Sequence, residues 1–280
     1  MSHIAHALER GRTLSFEFFP PKTPEAREAL FSTVDELSSV DPNFVSVTYG
    51  AGGSNRSNTR DLVVELADRH SFGVMPHLTC IGHRRDDLEA LIDDYAAHGV
   101  HNILALAGDP PADGSPAQGD FTYASELVDL VKQRTSMSVG VAAFPETHPR
   151  SPDRASDRRY LANKLEQADF AITQFFFRAQ DYLSMIDELN ALGSSTPIIP
   201  GIQPILNPAT IKRFADMNGA WFPEELASRI SEASESDRFA IIVDAAASLI
   251  SELVDQGVPG LHIYCLNRSD IGLALAGVLE

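Results

Sequence analysis

The chain has 280 residues, 44% of them hydrophobic, which is enough to bury one large core. Lys and Arg total 22 against 39 Asp and Glu, so the formal net charge of -17 argues against nucleic acid or an anionic membrane as principal partner. The first residues form no apolar leader, and no segment has 18 uninterrupted apolar residues, so we expect a cytoplasmic protein without a membrane span.

Short β-rich runs recur along the chain, and segments with helical spacing separate them. The predicted strands are 13–19, 44–49, 73–80, 102–107, 137–144, 169–177, 197–202 and 260–266. In the first helical segment, Ala26, Leu30, Val34 and Leu37 share one face. An extra helix is predicted within 218–237, before the last strand.

About eight β–α units of roughly 35 residues each predict an α/β fold, a parallel sheet covered by helices. Closure into a (βα)8 TIM-type barrel fits this length better than an open sheet. We expect a single catalytic domain over residues 1–280, because no linker interrupts the pattern. In such barrels the chemistry lies at the carboxyl ends of the strands and in the loops that follow.

Glu17 is a carboxylate inside the apolar run LSFEFF, in the first predicted strand. Burial disfavours the charged form of a carboxylate, so we expect a raised pKa that lets Glu17 donate a proton near neutrality. The alternative is a structural Glu paired with a neighbouring Lys or Arg.

Two more polar residues lie just after or within predicted strands. Asp109 follows a glycine in LALAGDPP, and its two oxygens can accept from the N–H edge of a flat ligand. Gln174, in AITQFFF, can both donate and accept. The alternatives are a helix or turn cap for Asp109 and a satisfied core amide for Gln174.

Prolines flank Glu146 and His148 in FPETHP, which fixes a loop that can hold the imidazole against a ligand or simply form a turn. Arg268 begins the last predicted helix, where it can meet an anionic group or face solvent. The glycine-rich run at 50–55 lacks a nucleotide-binding pattern. Cys80 and Cys265 are expected to be buried free thiols, and no metal site is predicted.

Nine segments occur in order between about residues 14 and 275: FEFFPPKT, FVSVTYGAGG, PHLTC, LALAGDPP, AAFPETHP, AITQFFF, IIPGIQP, FADM and IYCLNRS. Together they resemble the methylenetetrahydrofolate reductase family. The resemblance implies a barrel that reduces 5,10-methylenetetrahydrofolate to 5-methyltetrahydrofolate with a nicotinamide donor, in most members through bound FAD.

The resemblance also implies roles for individual residues. Glu17 matches the acid that protonates N10 of the folate and so opens the imidazolidine ring to an iminium. Asp109 and Gln174 match residues that contact the pterin, and Arg268 matches a substrate-contacting arginine. The implied cofactor-binding residues are Thr48, Tyr49, His77, Phe144, His148, Asp157 and Lys164.

The chain departs from the flavin-binding members of this family at several positions. Ala107 and Phe144 stand where those members have Arg and Tyr, and Asn163 occupies a usually basic position. Lys164 is kept, but one residue and a glycine are missing before Asp169. Each lost charge-assisted hydrogen bond weakens binding by about 1.5–3 kcal/mol, so these changes predict weak FAD binding or none.

We therefore expect hydride to pass directly from NAD(P)H to the folate. One alternative is the same reaction as an FAD-dependent ping-pong enzyme. Another is a non-catalytic folate-binding barrel, against which Glu17 argues, because a binding protein needs no acid beside N10. NADH and NADPH are both compatible with the sequence, since it holds no nucleotide-binding fingerprint, and the oligomeric state is left open.

Overall fold

The structure is a computed structural model that describes residues 3–49, 56–109 and 118–279, without the side chains of residues 56 and 57. The strands are β1 (Thr13–Phe18), β2 (Phe44–Val47), β3 (Gly73–Thr79), β4 (Asn102–Leu106), β5 (Ser138–Ala143), β6 (Phe170–Thr173), β7 (Ile198–Ile199), β8 (Gly201–Ile202) and β9 (Gly260–Ile263). The helices are α1 (Ile4–Arg10), α2 (Pro24–Leu37), α3 (Arg56–Arg69), α4 (Arg85–Ala97), α5 (Ala124–Arg134), α6 (Arg154–Leu165), α7 (Ala179–Ala191), α8 (Pro208–Asn218), α9 (Glu224–Glu232), α10 (Glu235–Asp255) and α11 (Ser269–Ala276).

All neighbouring strands pair in parallel, in the order β7-β6-β5-β4-β3-β2-β1-β9-β8. The two end strands, β7 and β8, are separated along the chain by Pro200 alone, so the ring closes through them. Proline has no N–H for the ladder, which splits one strand into two short ones. The predicted (βα)8 barrel is confirmed, and α9 is the extra helix expected before the last strand.

Local sequence signals explain where the helices begin. Thr23 caps α2, because its hydroxyl accepts from the backbone N–H of Ala26, and Pro24 takes the first helical position, where no N–H is needed. The predicted inner face of this helix is buried at Leu30, Val34 and Leu37, whereas Ala26 is exposed.

Helix α1 was not expected from the sequence, because seven residues are too few for a clear period. Its Ile4 packs into the interior of the barrel against residues that include Phe44, Met75 and Phe170. The backbone N–H of Ile4 donates to Asn102 Oδ1 at 2.8 Å, where β4 begins. Helix α1 therefore closes the amino-terminal end of the barrel, and the opposite end is left for chemistry.

Replacement of Ile4 by Ala is expected to lower the free energy of unfolding by about 2–5 kcal/mol, since it leaves a cavity in the interior. Chemical denaturation measures this change. The control is Glu9→Ala on the exposed side of the same helix, expected within about 0.5 kcal/mol of the parent. Equal stability of the two variants would show that α1 does not close the barrel.

Three other expectations concern the wider chain. Cys80 and Cys265 are buried free thiols, as predicted. No helix in the described ranges is long and apolar enough to cross a membrane. The glycine-rich run at 50–55 lies outside the described residues.

Candidate active site

Glu17 lies next to the last residue of β1, and its side chain points into the barrel. The neighbouring Phe16 and Phe18 belong to the apolar layer between strands and helices. Successive side chains of a strand alternate between its two faces, so Ser15 and Glu17 face the interior together. Strand β1 thus buries its aromatic residues outward and carries its acid inward, and Glu17 is only 7% exposed.

Two histidines and a serine surround the Glu17 carboxylate. His77 Nε2 lies 3.3 Å from Glu17 Oε2, without the alignment of a full hydrogen bond, and His262 Nε2 lies 3.5 Å from the same oxygen. The Ser46 hydroxyl is also 3.5 Å away. We call these four residues the acid cluster. Neither Lys nor Arg is among the described partners of Glu17, so the structural alternative of a Lys or Arg ion pair is not found.

The expected rise in the pKa of Glu17 is wrong. Burial is the largest influence and does raise the pKa, but His262 and His77 beside the carboxylate outweigh it and lower the pKa to about 2. Burial in turn lowers the pKa of His262. At neutral pH the free protein therefore carries an ionised Glu17 beside a neutral His262.

His262 is held from its other side. Its Nδ1 lies 2.8 Å from the Ser15 hydroxyl, which also donates to the Leu261 carbonyl at 3.1 Å. The imidazole stacks on Phe44 with the ring centroids 5.8 Å apart and meets Tyr264 edge-on at 5.3 Å. His262 is fully buried, so these contacts fix the ring that faces Glu17.

Four of the predicted cofactor-binding residues gather after β5 and on α6. Phe144 and His148 meet edge to face with the ring centroids 4.5 Å apart. Asp157 accepts from the backbone N–H of His148 at 3.2 Å, and the charge of Lys164 acts on the pKa of that histidine. Burial lowers the pKa of His148. Its Nδ1 accepts from the backbone N–H of Arg150, so this nitrogen is used within a turn, as the alternative to ligand binding expected.

Lys164 donates to the Ala142 carbonyl at 2.6 Å. Burial lowers the pKa of its ammonium to about 8. Thr48 and Tyr49 lie just after β2, and the Tyr49 hydroxyl is 3.3 Å from His83 Nε2. His77, the remaining predicted cofactor-binding residue, belongs to the acid cluster.

The three predicted substrate-binding residues lie after three different strands, at the carboxyl end of the barrel. Asp109 is exposed after Gly108, whose φ of +89° and tight fit against Thr79 favour glycine. Gln174 is half-buried, and its Oε1 accepts from its neighbour's N–H. Arg268 is exposed and pairs with Asp270 at 2.5 Å, as the solvent-facing alternative expected. The charge of Asp109 acts on His148. The side-chain hydrogen bonds and ion pairs of the described part of the chain do not join the three residues to one another.

The departures from the flavin-binding pattern do not all lie at this mouth. Ala107 follows β4 and Phe144 follows β5, both at the carboxyl end. Asp169 instead immediately precedes β6, where it accepts from Val139 N–H and pairs with Lys132. The shortened turn therefore lies at the amino-terminal end of the barrel, away from the mouth, and it does not support the expectation of weak FAD binding.

Sequence reasoning missed His262, Ser46 and Ser15. Alternate residues of a strand point to the same side, and this pattern could have found them. Ser15 precedes Glu17 by two residues, and Ser46 and His262 are single polar residues within apolar strands. Within the described ranges, no group of three or more His, Cys, Asp or Glu residues is arranged to hold a metal ion.

Comparisons with known proteins extend this description. The family model of methylenetetrahydrofolate reductase matches residues 3–279. The 5,10-methylenetetrahydrofolate reductase of Escherichia coli K12 is 38% identical over 270 residues, which cover 95% of this chain and 90% of that protein. Methylenetetrahydrofolate reductase (NADH) 1 of Arabidopsis thaliana is 32% identical over 97% of this chain and 49% of its own length.

A solved structure shares the fold at low sequence identity. It is an uncharacterised protein from Clostridium thermocellum, described as binding two copies of 5-methyl-5,6,7,8-tetrahydrofolic acid. Its TM-score is 0.64 at 12% identity, covering 97% of this chain and 96% of that one. The family match over nearly the whole sequence and the close bacterial relative agree, and the chain belongs to the methylenetetrahydrofolate reductase family.

Proposed function

We propose that this chain, acting as one catalytic barrel, reduces 5,10-methylenetetrahydrofolate to 5-methyltetrahydrofolate by direct hydride transfer from NAD(P)H. The observation that carries the proposal is the inward-facing Glu17 carboxylate among His77, His262 and Ser46. An acid at this place is what ring opening of the folate requires.

In the proposed reaction, Glu17 transfers a proton to N10 of the folate. The bond between N10 and the methylene carbon breaks, and its electron pair stays on N10. The remaining N5 iminium accepts hydride from C4 of the nicotinamide, which leaves as NAD(P)+. One proton and one hydride are consumed for each methyl group formed, so the step is balanced without another reactant.

Glu17 must take up a proton before it can act, because its pKa in the free protein is about 2. A folate laid over the mouth removes water from the carboxylate, and this added desolvation raises the pKa. His262 can support the protonated form. Beside the ionised carboxylate, the ring proton of His262 lies on Nε2, and Nδ1 accepts from the Ser15 hydroxyl. When Glu17 is protonated, the ring proton can lie on Nδ1 while the Ser15 hydroxyl donates to Leu261, and Nε2 is then an acceptor facing Glu17.

We assign Asp109 and Gln174 to the amino-oxo edge of the pterin. Together a carboxylate and an amide supply acceptors and a donor, which this edge requires. Asp109 is exposed, and the Gln174 Nε2 is not among the hydrogen-bond donors of the described residues, so both have capacity for a ligand. We assign Arg268 to an anionic part of the substrate. Its guanidinium would leave Asp270 and bind the substrate anion instead.

The residues at the mouth fit a flavin poorly. Ala107 and Phe144 offer no side-chain hydrogen bond, and Asn163 is exposed. Lys164 donates to a backbone carbonyl, which leaves fewer of its N–H groups for a pyrophosphate. We therefore place the nicotinamide of NAD(P)H against Phe144, with the reacting carbons about 3–3.5 Å apart. Thr48, Tyr49, His77 and His148 complete this face, which we call the hydride-donor face.

The purified protein is expected to be colourless and to reduce methylenetetrahydrofolate at a rate that added FAD does not increase. A visible spectrum of the protein as isolated, followed by assays with and without FAD, measures both properties. Stoichiometric flavin, or activity that depends on added FAD, would replace direct transfer by the FAD-dependent alternative.

A further inference from the structure

Arg158, on α6, is a buried arginine whose side chain is 3% exposed. A guanidinium has five N–H donors, and here each has an acceptor. The acceptors are the carbonyls of Phe144 at 3.0 Å, Pro145 at 2.6 Å and Glu146 at 2.8 Å, and the carboxylates of Asp157 and Glu188, both at 2.7 Å. Three consecutive peptide units are thus bound to one side chain.

Asp157 binds the residues that follow Glu146 in the chain, His148 and Ser151. Its Oδ1 accepts from the backbone N–H of His148 at 3.2 Å and from the Ser151 hydroxyl at 2.8 Å. Its Oδ2 accepts from Arg158. Asp157 is buried and engaged by three protein donors, so its carboxylate is already committed within the chain.

The pair Arg158–Asp157 therefore fixes residues 144–151, which we call the clamped loop, at both ends. This loop carries Phe144 and His148, whose rings meet edge to face. Movement of the loop would take three of the five acceptors away from a buried guanidinium, which is unfavourable. A flat ligand ring that stacks on Phe144 would thus meet a surface that is already in place.

We propose that Arg158, acting with Asp157, is a positioning residue that holds the clamped loop in the conformation that receives the nicotinamide of NAD(P)H. The inference rests on the proposed function and deepens it, because it says how the hydride-donor face is kept rigid. It also assigns Asp157 to the support of this face rather than to contact with the ligand. Affinity then depends on preorganisation, since a loop ordered in advance loses less entropy on binding.

The test uses Arg158→Lys, which keeps the positive charge but has too few donors for five acceptors. We expect the KM for NAD(P)H to rise about tenfold or more, and the KM for methylenetetrahydrofolate to stay within about twofold. Hydrogen exchange should increase in peptides from the clamped loop and stay unchanged in peptides from β6. A purely structural role would not separate the two KM values.

Arg154→Ala is the matched control. Arg154 is exposed and pairs with the same Glu188 at 2.8 Å. Among the described residues its side chain makes no hydrogen bond to the clamped loop, on which only its charge acts, at Glu146. We expect it to leave both KM values unchanged. If Arg158→Lys does not fold, the double variant Asp157→Asn, Arg158→Gln provides the test, because it leaves neither member of the buried pair as an unpaired charge.

The outcomes separate the inference from the proposed function. If the parent protein shows no reduction of methylenetetrahydrofolate by NAD(P)H, the proposed function fails. If the parent is active and the folded Arg158 variants have an unchanged KM for NAD(P)H, the inference is overturned and the proposed function stands. A parallel rise of both KM values would also overturn the inference.

Discussion

Glu17→Gln is expected to lower kcat for methylenetetrahydrofolate reduction by at least about 100-fold, the usual scale for loss of a general acid. The amide has nearly the same shape as the acid and can still contact His77 and His262, but it has no transferable proton. Steady-state assays at saturating concentrations of both substrates measure the loss. Binding of 5-methyltetrahydrofolate should change far less, because ring opening does not occur in the product complex.

The matched control is Glu28→Gln on α2, which removes an exposed carboxylate outside the acid cluster and should leave kcat unchanged. Near-parental kcat in a folded Glu17→Gln variant would remove Glu17 from the mechanism. The buried histidines would then have to be tested as the proton donor.

Glu17 also makes the stability of the parent protein depend on pH, and Glu17→Gln should change this dependence. The pKa of Glu17 is lowered from 4.5 to about 2 on folding, so its ionised form stabilises the native state fully above about pH 4.5. That contribution is lost as the pH falls from 4.5 toward 2. Glu17→Gln removes this part of the acid sensitivity, and denaturation at several pH values below 4.5 would show a shallower decline.

Asp109→Ala and Gln174→Ala are each expected to weaken folate binding by about 1–3 kcal/mol, roughly 5- to 150-fold in Kd. Either change leaves a polar edge of the pterin without its hydrogen-bond partner. Titration calorimetry with 5-methyltetrahydrofolate measures the loss directly, without relying on turnover. The KM for NAD(P)H should change much less.

Asp129→Ala and Gln133→Ala serve as controls, since both replace exposed residues in the second half of helix α5, whose first turn is the end nearer the mouth. Folate binding equal to that of the parent in both Asp109→Ala and Gln174→Ala would place the pterin elsewhere. A loss in only one of them would assign the edge to that residue alone.

The barrel could be predicted because its strands and helices each have a local sequence pattern, and this pattern recurs along the chain. Each strand is a short apolar run, and each helix has a buried stripe such as Leu30, Val34 and Leu37. The break at Pro200 and the short helix α1 depend on closure and on interior packing, to which no single segment points. Their placement needs long-range contacts, such as that between Ile4 and Asn102.

Part of the acid cluster could also be predicted. Glu17 stands out as an acid in an apolar run, but the direction of its pKa depends on His77 and His262, which come from other strands. Arg158 gives no sequence signal, because RASDRRY reads as an exposed polar helix. Arg158 is buried because the clamped loop, which precedes α6, packs against this helix and brings three carbonyls to the guanidinium.

The order of substrate binding tests direct hydride transfer most directly. Initial rates should be measured with NAD(P)H and methylenetetrahydrofolate both varied, and without added flavin. Direct transfer needs both substrates on the protein at once and predicts intersecting lines in double-reciprocal plots. A relay through FAD releases the oxidised nicotinamide before the folate reacts, so parallel lines would contradict direct transfer.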